Sequence, residues 1–266
     1  MKFQYHACDN MLDTDSETSK KKYEELRNLY KQIPPTKCLV CPGKEGVEAD
    51  CCKTFSPPLL LVEFLAIMDQ LKDQTEEEKK DLLFRCYQSY LDPGFTKKCV
   101  LLNGLLCSVY PARPYNCRMF GVTPHEEWEK RSKDRGEETG LSPEEVPFSK
   151  QCDGMKIKKK SPIKKISKET SDKIFKTIHD LDISLYKDRF FGKGVVMESM
   201  TYMPFDAHYL SVFIGPEHLE TLADIKMGLR NSKKEGNEGD YLNKLKNVQE
   251  FLKQVKEQIY GGNDKV

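Results

Sequence analysis

A chain of 266 residues with 38% hydrophobic content is long enough to bury a core of its own, so bound metal need not replace one. Its 43 basic and 42 acidic residues leave a formal net charge of +1, so the molecule as a whole has no pull toward nucleic acid or an anionic membrane. The longest apolar run, residues 59–68, is interrupted by Glu63 and falls well short of the roughly twenty residues that a spanning helix needs, which argues against a membrane partner.

Residues 1–10 scatter Lys2, Gln4, His6 and Asp9 among isolated apolar residues and contain no signal-peptide core; Cys8 lacks the apolar stretch of a lipoprotein signal. A cytoplasmic location is therefore expected. Tyr23, Leu26, Tyr30 and Ile33 recur at spacings of three and four, which predicts an amphipathic helix stopped by Pro34 and Pro35. Just beyond it stands the first cysteine group, Cys38-x2-Cys41-x9-Cys51-Cys52. Pro42 and Gly43 favour a tight reversal that leaves amides free to point at sulfur. Adjacent side chains diverge in an extended segment, so the Cys51-Cys52 doublet divides between sites more easily than it chelates one ion.

Ser56 can cap a helix beginning at Pro57 and Pro58, with an apolar body over residues 59–71. Thr75 and Glu78 form a capping box for a second helix, whose stripe is Leu82, Leu83, Cys86, Tyr87, Tyr90 and Leu91. Cys86 belongs to that stripe and reads as a small buried apolar side chain. Residues 98–110 predict a hairpin turning at Asn103-Gly104. In that register Cys99 pairs with Ser108 and Cys107 with Val100, and the two sulfurs fall on opposite faces.

Pro114 can start a helical turn carrying Cys117, flanked by Arg113 and Arg118. A metal bound by four thiolates keeps a net negative charge, so guanidiniums donating to sulfur or to nearby carbonyls are expected beside it. Thr123, Pro124 and Glu126 open a further capped helix carrying Trp128, with His125 in its exposed first turn. Cys152 trails the group.

Eight cysteines thus present ligands for two four-coordinate sites: Cys38, Cys41, Cys51, Cys52, Cys99, Cys107, Cys117 and Cys152. A disulfide framework would need an oxidising compartment, for which nothing in the sequence argues. The divided doublet and the hairpin together favour two neighbouring sites sharing their loops.

Beyond Cys152, residues 156–168 hold seven lysines and no acidic residue, which marks a linker; without aromatic interleaving it is a poor nucleic-acid site. Ile174, Phe175, Ile178 and Leu181 define the next helix, with His179 outside. Gly192-Lys193-Gly194 lacks the rest of any nucleotide-binding signature and reads as a turn. An aromatic segment over 202–214 is broken by Pro204, and Pro216 begins a helix with Leu219, Leu222, Ile225 and Leu229. Tyr241, Leu245, Val248, Leu252, Val255 and Ile259 alternate four and three apart, a seam for antiparallel packing on the preceding helix. The expected fold is mainly α, with a small irregular α+β cysteine-rich metal-binding region and a short β-hairpin near residues 99–110. Residues 1–155 are expected to be the cysteine-cluster domain and 156–266 a helical carboxy-terminal region with a lysine-rich linker.

The cysteine pattern, with Val109-Tyr110-x2-Arg113-Pro114-x2-Cys117-Arg118-x-Phe120, resembles the YkgJ-type cysteine-cluster family, a zinc- or iron-chelating domain. The resemblance covers residues 38–152 and implies metal binding, as an ion or an iron-sulfur cluster. Where relatives often carry Cys-Pro-Phe-Leu this chain has Cys99-Val100-Leu101-Leu102, a change that removes no ligand. Some relatives resemble flagellin-lysine methylases, which makes an iron-sulfur redox or protein-modifying enzyme the alternative, although no catalytic constellation is visible. The other expected partner is a protein docking on the metal-bound loops; neither substrate nor oligomeric state is legible.

Overall fold

The computed structural model describes residues 16–34, 52, 56–94, 98–104, 106–119, 122–124, several positions between 126 and 137, 165–190 and 202–261. Helix dominates them, and two short two-stranded antiparallel ladders complete the secondary structure, so the fold is mainly α with a small β component. The chain divides into two compact units that are not consecutive stretches: one takes described residues from 73–94 and 205–261, the other from 16–72 and 98–204.

The second of these units carries the cysteines of interest. Helix α1 (Glu17–Tyr30) is capped by Ser16, whose Oγ accepts the Ser19 amide at 3.3 Å. It buries Tyr23, Leu26 and Tyr30, the stripe read from the spacing, with Ile33 buried just past its end. Strand β1 (Pro58–Leu59) occupies the place where the sequence suggested a helix start at Pro57. Pro58 pairs with Pro204 and Leu59 with Met203 in strand β4 (Met203–Pro204), so tertiary pairing delays the helix to Leu61 and leaves the Ser56 cap unused.

Helix α2 (Leu61–Gln70) is nearly all apolar and buries Leu61, Val62, Phe64, Leu65 and Ile67. Its N-cap is Leu60, which has no oxygen to offer the first-turn amides. Two carboxylates supply the acceptors. Glu63 Oε2 takes the Leu60 amide at 2.9 Å, and Asp182 Oδ1 takes the Val62 amide at 2.6 Å. Asp182 lies on α5 (Lys168–Phe190), which packs against both α1 and α2 along Ile174, Ile178, Leu181 and Leu185. His179 is exposed on its other side, as expected.

The hairpin forms, but two residues out of the expected register: Cys107, expected opposite Val100, pairs with Leu102. Strands β2 (Leu102–Asn103) and β3 (Leu106–Cys107) pair Leu102 with Cys107 and Asn103 with Leu106, so the loop begins at Gly104. Gly104 sits at φ +58° in the first loop position, where a two-residue hairpin demands a left-handed residue. Residues 99–102 form a turn, with the Leu102 amide donating to the Cys99 carbonyl at 3.0 Å. Cys99 is therefore not in an extended strand, and alternation cannot place its sulfur opposite that of Cys107.

The other unit is an assembly of α3 (Glu76–Leu91), α6 (Phe205–Ile214), α7 (Pro216–Lys234) and α8 (Glu238–Tyr260), with α3 touching the other three. The Thr75 capping box is present, with the Thr75 amide and the Glu78 amide satisfied reciprocally at 2.8 and 3.2 Å. Cys86 is completely buried between Leu82, Leu83 and Tyr87 on the α3 stripe. Helix α6 is buried almost all round, and its Asp206 is satisfied by Ser89 Oγ at 2.7 Å and the Ala207 amide at 3.0 Å. Helices α7 and α8 pack on each other, the hairpin expected from their seam, and Leu229, Val248, Val255 and Ile259 are buried.

Burial pushes the Asp182 carboxyl up to about 7, against the downward pull of the α2 amides, and the nearby Glu63 charge adds to the rise. A carboxyl whose pKa is higher in the folded chain than in the unfolded one stabilises fully at acid pH and loses that contribution as pH rises through about 7. Asp182→Asn keeps an amide acceptor but cannot titrate. The urea-unfolding stability of wild type relative to Asp182→Asn should therefore fall by about 1.4 kcal/mol per pH unit at the steepest point between about pH 4 and 7. A flat difference over that range contradicts the assignment.

Candidate metal centre

Cys117 sits in the middle of α4 (Tyr115–Met119), a helix of five residues that follows Pro114. A helix this short does not hold itself together in water, so its position is set by what its side chains reach. Every neighbour of Cys117 is tied to a different element of its unit. The Tyr115 amide donates to Glu63 Oε1 at 2.5 Å, its phenol lies 2.9 Å from the Ser171 carbonyl and 2.6 Å from Ser171 Oγ, and its ring lies 5.4 Å from that of Phe175. Asn116 Nδ2 donates to the Pro58 carbonyl at 2.6 Å and to the Tyr202 hydroxyl at 2.9 Å.

Arg118 completes the clamp. Its Nε donates to the Arg113 carbonyl at 2.7 Å and its Nη2 to the Pro111 carbonyl at 2.6 Å, while the guanidinium lies over the Tyr30 ring at 4.2 Å. Arg113 stacks likewise over Tyr110 at 4.0 Å. Partial burial lowers the Arg118 pKa, and charge on Tyr30, Cys117 and Glu63 opposes the shift. The guanidinium thus braces the segment leading to Cys117 and places positive charge close to its sulfur. This agrees with one of the two roles expected of it, donation to nearby carbonyls.

Behind this helix lies Glu63, 2% exposed. Oε1 accepts from the Tyr30 hydroxyl and from the Tyr115 amide; Oε2 accepts the Leu60 amide. All three partners are donors, the environment an ionised carboxylate requires. Burial raises its pKa, and the bonds from Tyr115, Tyr30 and Leu60 resist that rise. Burial, then the Glu63 charge, hold the Tyr30 phenol well above the ordinary tyrosine range, so it stays a donor. With its oxygens so engaged, Glu63 is a support for the centre and a poor candidate for a metal ligand.

Four of the eight predicted ligands fall in the described residues. Cys52 and Cys99 are brought side by side along the backbone, the Cys99 amide donating to the Cys52 carbonyl at 2.7 Å. Cys99 is buried, whereas Cys52, Cys107 and Cys117 are half-buried. Cys107 closes the hairpin opposite Leu102. Cys38, Cys41, Cys51 and Cys152 lie outside the described residues, as do Cys8, His125, Trp128, Gly192 and Gly194. Among the described residues no three of His, Cys, Asp and Glu gather as a metal site. The donors that are described are all sulfur, braced by arginine, and such a set fits zinc or iron better than a hard cation that takes oxygen ligands.

Sequence reasoning missed Glu63, Asp182 and Asn116. Glu63 carried a signal, a lone carboxylate in an apolar run three residues after the N-cap Leu60, whereas nothing local marks Asn116 or Asp182.

Asn116→Ala leaves the Pro58 carbonyl and the Tyr202 hydroxyl without this donor. It should lower the urea-unfolding stability of the metal-loaded protein by about 1–2 kcal/mol. An unchanged midpoint would mean that these bonds do not hold the Cys117 helix.

No curated protein and no solved structure matches this chain. Residues 37–136 do match a family model, CxxCxxCC, described as "Putative zinc- or iron-chelating domain". That segment spans all the predicted ligands except Cys152 and includes Arg113, Arg118, Tyr115 and Glu63. The match covers the cysteine-rich segment and agrees with the family that its cysteine spacing resembles.

Proposed function

We propose that this protein binds two neighbouring zinc or iron ions, or an iron-sulfur cluster, through the thiolates of Cys38, Cys41, Cys51, Cys52, Cys99, Cys107, Cys117 and Cys152. The observation that carries the reading is the Cys117 helix. Five residues too short to be stable alone are bonded to other segments, with the Arg118 guanidinium bracing the turn that leads to Cys117. Burying a cysteine for packing alone needs none of this; Cys86 shows how the chain does that, on a long helix among leucines. A donor that must meet an ion needs its backbone set beforehand, because each degree of freedom left in the ligand is lost on binding.

The shared backbone of Cys52 and Cys99 supports the same reading, since it brings the first cysteine group to the second. When bound, a metal would be held by thiolate and would cross-link loops distant in sequence, so its binding energy becomes folding energy for that region. Arg118 would offset part of the negative charge of the thiolates, and a tight reversal at Pro42-Gly43 would leave the amides around it free to point at sulfur in the first group. The role that follows is non-catalytic: the metal fixes the loops, which serve as a platform for a protein partner in the cytoplasm. Among the described residues no helix is long and apolar enough to cross a membrane.

Protein purified anaerobically under reducing conditions should contain zinc or iron at about two ions per chain if the sites are mononuclear. Colourless protein with zinc and no sulfide excludes the cluster, and brown protein that bleaches with oxidant supports it. Alkylation before and after chelation should separate the thiols. The eight ligands should gain reactivity on metal removal, Cys8 should react throughout, and Cys86 should react only on unfolding. Protein with neither metal, all of whose ligand thiols react without chelator, overturns the proposal.

A further inference from the structure

We infer that the Glu63–Tyr30 pair is a positioning device for the metal centre, presetting the Cys117 helix so that its thiolate is in place before the ion arrives. The inference rests on the thiolate-metal reading above and extends it to two residues outside the cysteine motif.

Glu63 is the point at which α1, the start of α2 and the start of the Cys117 helix meet. One oxygen takes two donors, the Tyr30 hydroxyl from α1 and the Tyr115 amide at the first position of α4; the other takes the Leu60 amide. Tyr30 then reaches the same helix by a second route, since its ring carries the Arg118 guanidinium at 4.2 Å, one residue beyond Cys117. Carboxylate, phenol and guanidinium therefore close a ring of contacts around Cys117: Glu63 holds residue 115, Tyr30 holds residue 118, and the two hold each other. Cys117 is close enough to this ring for a charge on its sulfur to act on both Tyr30 and Arg118.

The chemistry of the junction explains the residue types. An acceptor-only group is required, because every neighbour that faces it is a donor. A glutamine at 63 would turn an amide nitrogen toward either the Leu60 N–H or the Tyr30–Tyr115 pair, breaking one side of the junction whichever way it points. Phenylalanine at 30 would keep the ring under Arg118 and remove only the bond to Glu63. The two variants therefore separate the carboxylate junction from the stacking contact.

Anaerobic cobalt(II) titration of the reduced, metal-stripped full-length protein tests this, with cobalt affinity read by competition against a chelator of known strength and site geometry read from the thiolate-to-cobalt absorption. Ser89→Ala, which breaks the Ser89–Asp206 bond in the other unit, controls for general destabilisation. Tyr30→Phe and Glu63→Gln should bind cobalt about 10- to 100-fold more weakly, with altered absorption, while Ser89→Ala binds as wild type. Should Glu63→Gln fail to fold, Tyr30→Phe decides alone. Wild-type affinity and absorption in Tyr30→Phe, or equal weakening in Ser89→Ala, overturns the positioning role while leaving metal binding intact. Wild-type protein that takes up no cobalt overturns the metal reading itself, and the positioning role with it.

Discussion

The cysteine-bearing unit depends on one buried carboxylate. Glu63 is out of contact with water and would be costly there unless each lone pair found a donor. It finds three, one from each of the segments that must come together around Cys117. A junction of this kind is demanding in a way that apolar packing is not. Leucines on α2 tolerate small shifts, whereas a bond of 2.5 to 2.9 Å to a fixed amide tolerates little. The carboxylate therefore confers register on the three segments that it joins.

Asp182 repeats the device one turn away. Helix α2 starts at a leucine that cannot cap it, and acceptors come from within the helix and from α5, more than a hundred residues downstream. That arrangement ties the helix after the first cysteine group to the helix after the last, and so holds together the two ends of the cysteine-rich segment. The other unit needs no such measures. Two of its helices, α3 and α8, begin with local side-chain caps at Thr75 and Asn237, and α3 packs on the other three. Its one deeply buried carboxylate, Asp206, is satisfied by a neighbouring serine and its own helix.

Helices were legible because their periods are local. The stripe of Tyr23, Leu26 and Tyr30, the capping box at Thr75 and the seam of α8 all follow from residues within a few turns of one another. Features decided by distant residues were less legible. Pro57 and Pro58 look like a helix start, but pairing with Met203 and Pro204 makes a strand of the second proline. Asn103-Gly104 is a strong turn signal, yet Gly104 takes the first loop position in place of the second, which moves every cross-strand partner by two residues. Cys86 was set apart by its helical stripe, and it is buried there. Glu63 was visible only as an interruption in an apolar run, because what makes it matter lies on Tyr30 and Tyr115.

The proposed metal centre would have most of its geometry outside its ligands. Arg118 lies over the Tyr30 ring one residue after Cys117, Asn116 and Tyr115 fix the backbone just before it, and Cys52 and Cys99 share a backbone bond. X-ray absorption at the metal edge, on protein isolated anaerobically from cells grown with zinc and iron, tests the central claim most directly. The account predicts a first coordination shell made of sulfur, at about 2.3 Å for zinc. A shell of nitrogen and oxygen atoms, or the absence of either metal, would contradict it.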